Sequence, residues 1–208
     1  RNRSRRDSMQ TIKTISELEA LYDEVAPAAL TKVLPHLSSL YQNWIEASRF
    51  LVLSTVGPEG TDASPRGDDA AVVRVVNNNT LWLPDWRGNN RMDSLRNIVR
   101  DGRVSLLFMV PGCNNVVRVN GKAFLTTDPT TLAKFEKNQK MPRSVIIVEI
   151  GEVYFQCAKA LLRSRLWQSE DESAHVPSAG QFIKELTADF DAEKYDAGYS
   201  EYAKDRMW

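Results

Sequence analysis

Strand-like runs recur through the middle of this chain with only one short helical segment among them, and that spacing limits the fold most. Residues 50–56, Phe50-Leu51-Val52-Leu53-Ser54-Thr55-Val56, are apolar and β-branched and run into the turn signal Gly57-Pro58-Glu59-Gly60. A short strand is expected at 61–64. Strands at 71–76 and 80–84 should flank Asn77-Asn78-Asn79, since asparagine tolerates the positive φ of a tight hairpin turn. Residues 104–110 read as a further strand, 116–120 and 122–126 as a hairpin bent at Gly121, and 144–155 as the most β-prone run of all. Between the fourth and fifth strands, 90–100 reads as a helix with Leu95, Ile98 and Val99 on one face. Six or seven antiparallel strands with flanking helices predict a mainly β, α+β fold closed into a small barrel. A doubly wound parallel sheet is excluded, because the strands do not alternate with full-length helices.

Helical patterns occupy both ends. Ile15, Leu18 and Leu21 recur at threes, with Ser16 as the expected cap. After Pro27 a second pattern carries Leu30, Val33, Leu34, Leu37, Leu40, Tyr41, Trp44 and Ile45, and Pro35 should kink or split it. A helix is expected at 129–137, and the polar chain beyond 158 reads helical. The expected organisation is a disordered basic arm at 1–13, helices at 14–48, a barrel at 49–167 and a helical extension at 168–208. Four arginines fall within the first six residues, but no apolar segment follows them, so they are not read as a signal peptide. Met9 is read as the natural start, and the expected location is cytoplasmic.

Charge and composition exclude several classes. The 27 Lys+Arg balance the 27 Asp+Glu, so no global field favours nucleic acid or an acidic membrane. No apolar run nears the ~18–20 residues that span a bilayer as a helix, and 42% hydrophobic residues argue against disorder. Two cysteines, Cys113 and Cys157, cannot make a disulfide scaffold, and two histidines, His36 and His175, restrict metal sites and triads.

The chemistry concentrates in Pro84-Asp85-Trp86-Arg87-Gly88-Asn89-Asn90-Arg91-Met92-Asp93-Ser94-Leu95-Arg96-Asn97, which joins a strand end to a helix start. Three arginines, one glycine, three asparagines and a serine suit a phosphate site. Such a site uses free N–H groups at a helix N-terminus, a favourable dipole and bidentate guanidinium groups. Gly88 allows close backbone approach. The plainer reading is a surface helix capped by Asn90 or Asp93 with solvated arginines. There is no Gly-Lys-Ser/Thr phosphate loop and no dinucleotide fingerprint.

Three other segments bear on the same question. Ser64-Pro65-Arg66-Gly67-Asp68 reads as a turn, or as a segment that puts Ser64 and Arg66 against the 87–94 loop; cell adhesion is not supported. Arg74, between Val73 and Val75, either points to water or reaches an anion at the sheet face. Arg163 and Arg165 beside Trp167 can hold a planar ligand by stacking and charge, or form salt bridges at a helix end.

Together, the residues from Arg87 to Ile98, then Arg103-Val104-Ser105-Leu106-Leu107-Phe108 and Val119-Asn120-Gly121-Lys122-Ala123, resemble the FMN-binding split barrels related to pyridoxamine 5'-phosphate oxidase. Ser64-Pro65-Arg66-Gly67-Asp68 and Tyr154-Phe155-Gln156-Cys157 resemble a branch of FMN-dependent enzymes whose substrate is undefined. The resemblance covers 47–167 and implies an antiparallel split barrel and a homodimer with FMN in clefts between subunits. It implies that Arg87, Asn90, Arg91 and Ser94 hold the phosphate, with Arg66 or Arg74 assisting. Backbone of Leu83, Pro84 and Asp85 is expected along the flavin ring, and Arg165 of the second subunit near the ring or substrate. One departure stands out. Oxidases of pyridoxamine phosphate carry Arg-Leu-His where this chain has Arg165-Leu166-Trp167. Trp167 and Phe155 are therefore expected to crowd the substrate side and exclude that substrate.

The functional expectation is an FMN-dependent oxidoreductase acting on a small molecule, with NAD(P)H as a candidate electron donor and no side chain assigned as acid or base. The alternatives are a non-catalytic module that stores or senses flavin or haem, and a dimeric structural domain without a nucleotide. The dimer is also expected because 104–110 and 145–148 present apolar faces that a small barrel leaves uncovered.

Overall fold

A computed structural model describes residues 9–168, 170–204 and 206–207. The expected basic arm at 1–8 lies outside the described residues. Two compact units divide the chain, residues 1–33 and 34–208. The first holds α1 (Ile15–Glu19) and α2 (Pro27–Thr31). Thr14, not Ser16, caps α1: its Oγ1 accepts the Glu17 N–H at 3.2 Å, and the Glu17 carboxylate accepts the Thr14 N–H at 3.3 Å. The reciprocal pair satisfies two otherwise orphaned donors, which Ser16 could not do from inside the helix.

The second unit begins with the consequence of Pro35. The residue before a proline is pushed to extended backbone, and Leu34 accordingly pairs with Val153, donating at 3.0 Å and accepting at 2.8 Å. The expected long helix is thus split, and α3 (Ser39–Glu46) starts afresh on its Ser38 cap.

Seven strands follow: β1 (Phe50–Gly57), β2 (Gly60–Gly67), β3 (Arg74–Asn77), β4 (Thr80–Asp85), β5 (Arg103–Met109), β6 (Val116–Thr126) and β7 (Ser144–Gln156). They form one antiparallel sheet in the order β2-β1-β5-β6-β7-β4-β3. The helix α4 (Asp93–Arg100) lies between β4 and β5 in sequence and packs on β1, β2 and β6. A short α5 (Pro129–Ala133), ending earlier than the pattern predicts, precedes β7. Then come α6 (Lys159–Ser164), a 3-10 turn (Ser173–His175), α7 (Ala179–Leu186) and α8 (Ala192–Lys204).

The sheet curls. In a flat sheet β2 and β4, five strand spacings apart in the order, would be separated by about 24 Å. Yet Arg66 on β2 and Asp85 on β4 form an ion pair. Curling turns alternate residues inward, and Leu51, Leu53, Leu81, Leu83, Leu106, Phe108, Val117, Val119, Ile146 and Val148 make a fully buried core with Ile45 and Ile98. This is the antiparallel split-barrel architecture.

Three local expectations are corrected. Residues 116–126 are one strand, not a hairpin: the register shifts between Asn120 and Gly121 in a bulge, and a Cβ on Gly121 would lie 2.1 Å from the Glu149 carbonyl oxygen. Gly121 is there for close backbone approach, not for a turn. The 77–79 turn uses no positive φ; the Asn77 side-chain oxygen accepts the Asn79 N–H at 2.8 Å and makes the turn locally. The apolar faces at 104–110 and 145–148 are only partly uncovered: Val104, Leu106, Phe108 and residues 145–148 are buried within the chain itself, while Leu107, Met109 and Val110 stay half-buried.

Candidate functional site

Where β2 and β4 close on each other, a cavity of about 750 Å³ opens between β2, the end of β4, the 86–92 loop and the N-terminus of α4. Strand alternation supplies one wall. Asp62, Ser64, Arg66 and Asp68 occupy every second position of β2 and its extension, so all four turn to the same side. Buried Leu83 and Pro84, with half-buried Asp85, bring β4 to its edge. Asn90 takes φ 63°, a left-handed conformation that asparagine tolerates, and reverses the loop into the helix. The Asn89 side chain accepts the Arg91 N–H at 2.9 Å and shapes the same bend.

Neither candidate cap closes α4. Met92 holds the cap position without a side-chain bond, and Asp93 sits in the first turn. Residues 92–95 line the cavity, so the helix N-terminus with its first-turn amides and dipole faces it. Ser94 is buried, and its hydroxyl donates to Asp62 while lying 3.1 Å from the Ser64 hydroxyl. Ser64 donates to Asp62 at 2.9 Å. The Ser94 hydroxyl, more than any other group, holds the Asp62 carboxyl below its ordinary range; burial opposes this and Ser64 assists.

The wall is charged but balanced. Arg66, Arg87, Arg91 and Arg143 are matched by Asp62, Asp68, Asp85 and Asp93. Arg66 is committed to Asp85, and Arg91 Nε donates to Asp93 at 2.5 Å on the exposed rim. Among the described residues, Arg87 and Arg143 have no acidic partner. Arg143 instead donates to the Asn90 side chain at 2.9 Å, while its N–H bonds the Asp85 carbonyl at 3.0 Å. An incoming anion meets two guanidinium groups without acid partners, a helix N-terminus and a pre-bent loop. These residues fit a phosphate group, and the volume fits a small-molecule ligand, whose pockets run to about 300–1,000 Å³.

The cavity brings together Arg66, Leu83, Pro84, Asp85, Arg87, Asn90, Arg91 and Ser94. It does not include Arg74, Phe155, Arg165 or Trp167. Arg74 is exposed on β3 and donates to the Lys134 carbonyl at 3.3 Å. Phe155 lies eleven residues along β7 from Ser144 at the cavity, about 36 Å of extended strand. Its N–H donates to the Tyr41 hydroxyl at 3.1 Å. Trp167 Nε1 donates to the Cys113 carbonyl at 2.8 Å, and Arg165 ends α6 in a left-handed turn at φ 52°. Sequence reasoning missed Asp62, Arg143, Ser144 and Tyr199. Polar alternation along β2 could have indicated Asp62; the others come from distant segments with no local signal.

Solved structures offer distant likenesses to this chain. Group A Streptococcus HupZ is 15% identical, with 56% of this chain and 91% of that chain covered at a TM-score of 0.47. General Stress Protein 26 from Bacillus anthracis is 20% identical, with 55% and 88% covered at 0.41. The FAD binding protein from Mycobacterium smegmatis is 14% identical, with 59% and 97% covered at 0.41. No curated protein matches the chain. These distant likenesses carry no argument for function, and the assignment rests on the sequence pattern. The pyridoxamine 5'-phosphate oxidase family pattern matches residues 37–157, more than half of the chain, and spans the whole sheet and every cavity residue but one; this protein belongs to that family.

Proposed function

We propose that the cavity binds FMN and that the protein is an FMN-dependent oxidoreductase acting on a small molecule, working as a homodimer. The observation that carries the reading is the convergence of Arg87, Arg143, the Asn90 bend and the N-terminus of α4 on one cavity of about 750 Å³. When bound, FMN supplies the hydride and electron chemistry. The chain's own residues bind and orient. Arg87, Arg91 and Ser94 hold the phosphate at the helix mouth, Arg143 braces Asn90, and Leu83, Pro84 and Asp85 border the ring. Arg66, neutralised by Asp85, ties β2 to β4 and fixes the cavity's width. Because Asp93 holds Arg91 and Asp62 holds Ser94, the phosphate displaces two internal contacts to gain its own.

In this reading Arg165, Phe155 and Trp167 serve the site of the second subunit, with Arg74 at its margin. Trp167 offers neither charge nor a free indole N–H to a substrate phosphate, since that N–H is bonded to Cys113. Pyridoxamine phosphate is therefore not the substrate. Among the described residues the cavity lining holds no histidine, so haem ligation by histidine is not favoured there, and no single lining carboxylate is assigned a proton-transfer role.

The test is the absorption spectrum of the purified protein with identification of any released chromophore, followed by titration of the stripped protein with FMN. A flavin spectrum and saturable FMN binding support the reading; failure to bind either FMN or riboflavin overturns it. Rapid-mixing reduction of the FMN-loaded protein by NADH or NADPH, followed by reoxidation with candidate acceptors, then tests the oxidoreductase part.

A further inference from the structure

The C-terminal helices lie beyond the residues that define the family, yet one of their side chains reaches the cavity. The α7–α8 pair is built as a locked hairpin. Ser178 caps α7, accepting the Gln181 N–H at 3.1 Å, and the Gln181 side chain accepts the Ser178 N–H at 2.8 Å. Asp196 of α8 accepts the Gly180 N–H at 2.9 Å and the Ser178 hydroxyl. Gly180 is buried at the crossing, where a Cβ would come within 2.6 Å of the Ala192 carbonyl oxygen.

With the hairpin held by these polar contacts, the aromatic residues of α8 are left over from its core. Tyr195, Tyr199 and Tyr202 recur at helical spacing, their ring centroids 6.0 and 6.3 Å apart, and Phe190 extends the row at 5.3 Å from Tyr195. The three tyrosines remain 36–56% exposed. Tyr199 alone of this row lines the cavity. The cavity's other walls combine guanidinium, carboxylate and amide side chains with Leu83, Pro84, Met92 and Trp86, so besides Tyr199 one aromatic ring borders it. Tyr199 adds a second flat ring, carried on a half-exposed side chain of a different element.

We infer that Tyr199 is a ligand-contacting residue: its ring stacks on the planar part of the molecule bound in the cavity, making the α7–α8 hairpin part of the binding site. The inference rests on the flavin reading, with the isoalloxazine ring as the planar part. It separates two kinds of contact in one cavity. The arginines and α4 recognise the phosphate, and Tyr199 recognises the ring whether or not a phosphate is attached.

The experiment titrates the full chain with FMN and with riboflavin, following flavin fluorescence, for the wild type and for Tyr199→Ala, Tyr199→Phe and Tyr195→Ala. Stacked aromatic contacts of this kind correspond to about two- to tenfold in affinity. Tyr199→Ala should lose that much for FMN and riboflavin alike, and its bound flavin should brighten because tyrosine quenches the excited ring. Tyr199→Phe should keep the affinity and brighten too, since phenylalanine stacks but is a poorer electron donor. Tyr195→Ala, one helical turn away, should change neither reading. Three outcomes overturn the inference while leaving the flavin reading intact. In the first, Tyr199→Ala binds FMN with unchanged affinity and emission. In the second, Tyr199→Phe loses as much affinity as Tyr199→Ala, which makes the contact a hydroxyl bond. In the third, Tyr195→Ala matches Tyr199→Ala, which makes the effect general damage to the hairpin. A wild type that binds neither flavin overturns both readings.

Discussion

The two ends of β7 carry the two groups of residues that the sequence pattern marks as functional, and they are built on different physical terms. At Ser144 the strand borders a cavity with four arginines and four aspartates, some in internal ion pairs and two arginines without acidic partners. At Phe155 and Gln156 neutral donors are already bonded, Phe155 N–H to the Tyr41 hydroxyl, Asn115 Nδ2 to the Gln156 carbonyl at 3.0 Å and Trp167 Nε1 to the Cys113 carbonyl, and the nearby Arg118 guanidinium donates to the Tyr154 hydroxyl at 3.3 Å. A charge without an ionic partner beside a helix N-terminus is poised to exchange water for an anion. A neutral donor already bonded to a carbonyl gains little from a ligand and loses a bond. The first end is therefore read as the binding end within this chain, and the second as a surface whose role depends on a second subunit.

The substitution with the largest expected effect breaks the strand that both ends share. Gly121→Ala places a methyl group against the Glu149 carbonyl and must force β6 from β7. A cost of about 3–4 kcal/mol is expected, read as a lowered midpoint in urea unfolding, with both ends disturbed together. A variant as stable as the wild type would show that the bulge relaxes freely.

The next sharpens the comparison at the charged end. Removing a charge-assisted phosphate contact costs about 1.5–3 kcal/mol, so Arg87→Ala should weaken FMN by roughly ten- to a hundredfold, and Arg91→Ala by less, since Arg91 lies on the exposed rim and must leave Asp93 to bind. Riboflavin, which lacks the phosphate, should be nearly indifferent to either change. Equal losses for both ligands in calorimetric titration would instead make these arginines supports of the loop.

At the neutral end, Trp167→Phe removes only the indole donor to Cys113. The expected loss is about 1 kcal/mol of stability, with FMN affinity unchanged. A large drop in FMN affinity with normal stability would mean that this end touches the cofactor directly, and the contrast between the ends would fail.

The smallest effect concerns Ser94. Ser94→Ala should cost FMN binding about 1 kcal/mol, the value of one neutral hydrogen bond. It should also let the Asp62 carboxyl rise toward its ordinary range, because the Ser94 hydroxyl is the main group holding it down. A carboxyl depressed in the folded state contributes stability above its unfolded value and loses it as pH falls through the folded one. The wild type should therefore keep more of its stability on the acid side of the ordinary carboxylate range than the variant does. Carboxyl NMR titration with acid unfolding measures both, and identical titration curves would show that Ser94 does not govern Asp62.

Much of this architecture is legible along the chain because strands and helices are local patterns. The β-rich runs at 50–56 and 144–155, the turn at 57–60 and the polar strand-to-helix loop at 84–97 all stand in the structure where short-range chemistry indicates. The misreadings have local causes as well. A glycine inside a β-rich run marks either a turn or a close backbone approach, and Gly121 needed its cross-strand neighbour, Glu149, to decide. An asparagine-rich turn can be made by left-handed backbone or by a side-chain hydrogen bond, and at 77–79 the side chain of Asn77 makes it.

By itself, then, the sequence determined the strand class, the Pro35 break and the concentration of arginine, asparagine and serine before α4, since each depends on residues within a few positions of one another. Only the tertiary structure decided that β2 meets β4, that Asp62 takes the Ser94 hydroxyl, that Arg143 braces Asn90, and that Tyr199 enters the wall of the cavity. The physical reason is the curl of the sheet. Burying alternate residues of seven strands in one core brings distant strands together at the seam, and no periodicity within a segment records which side chains meet there.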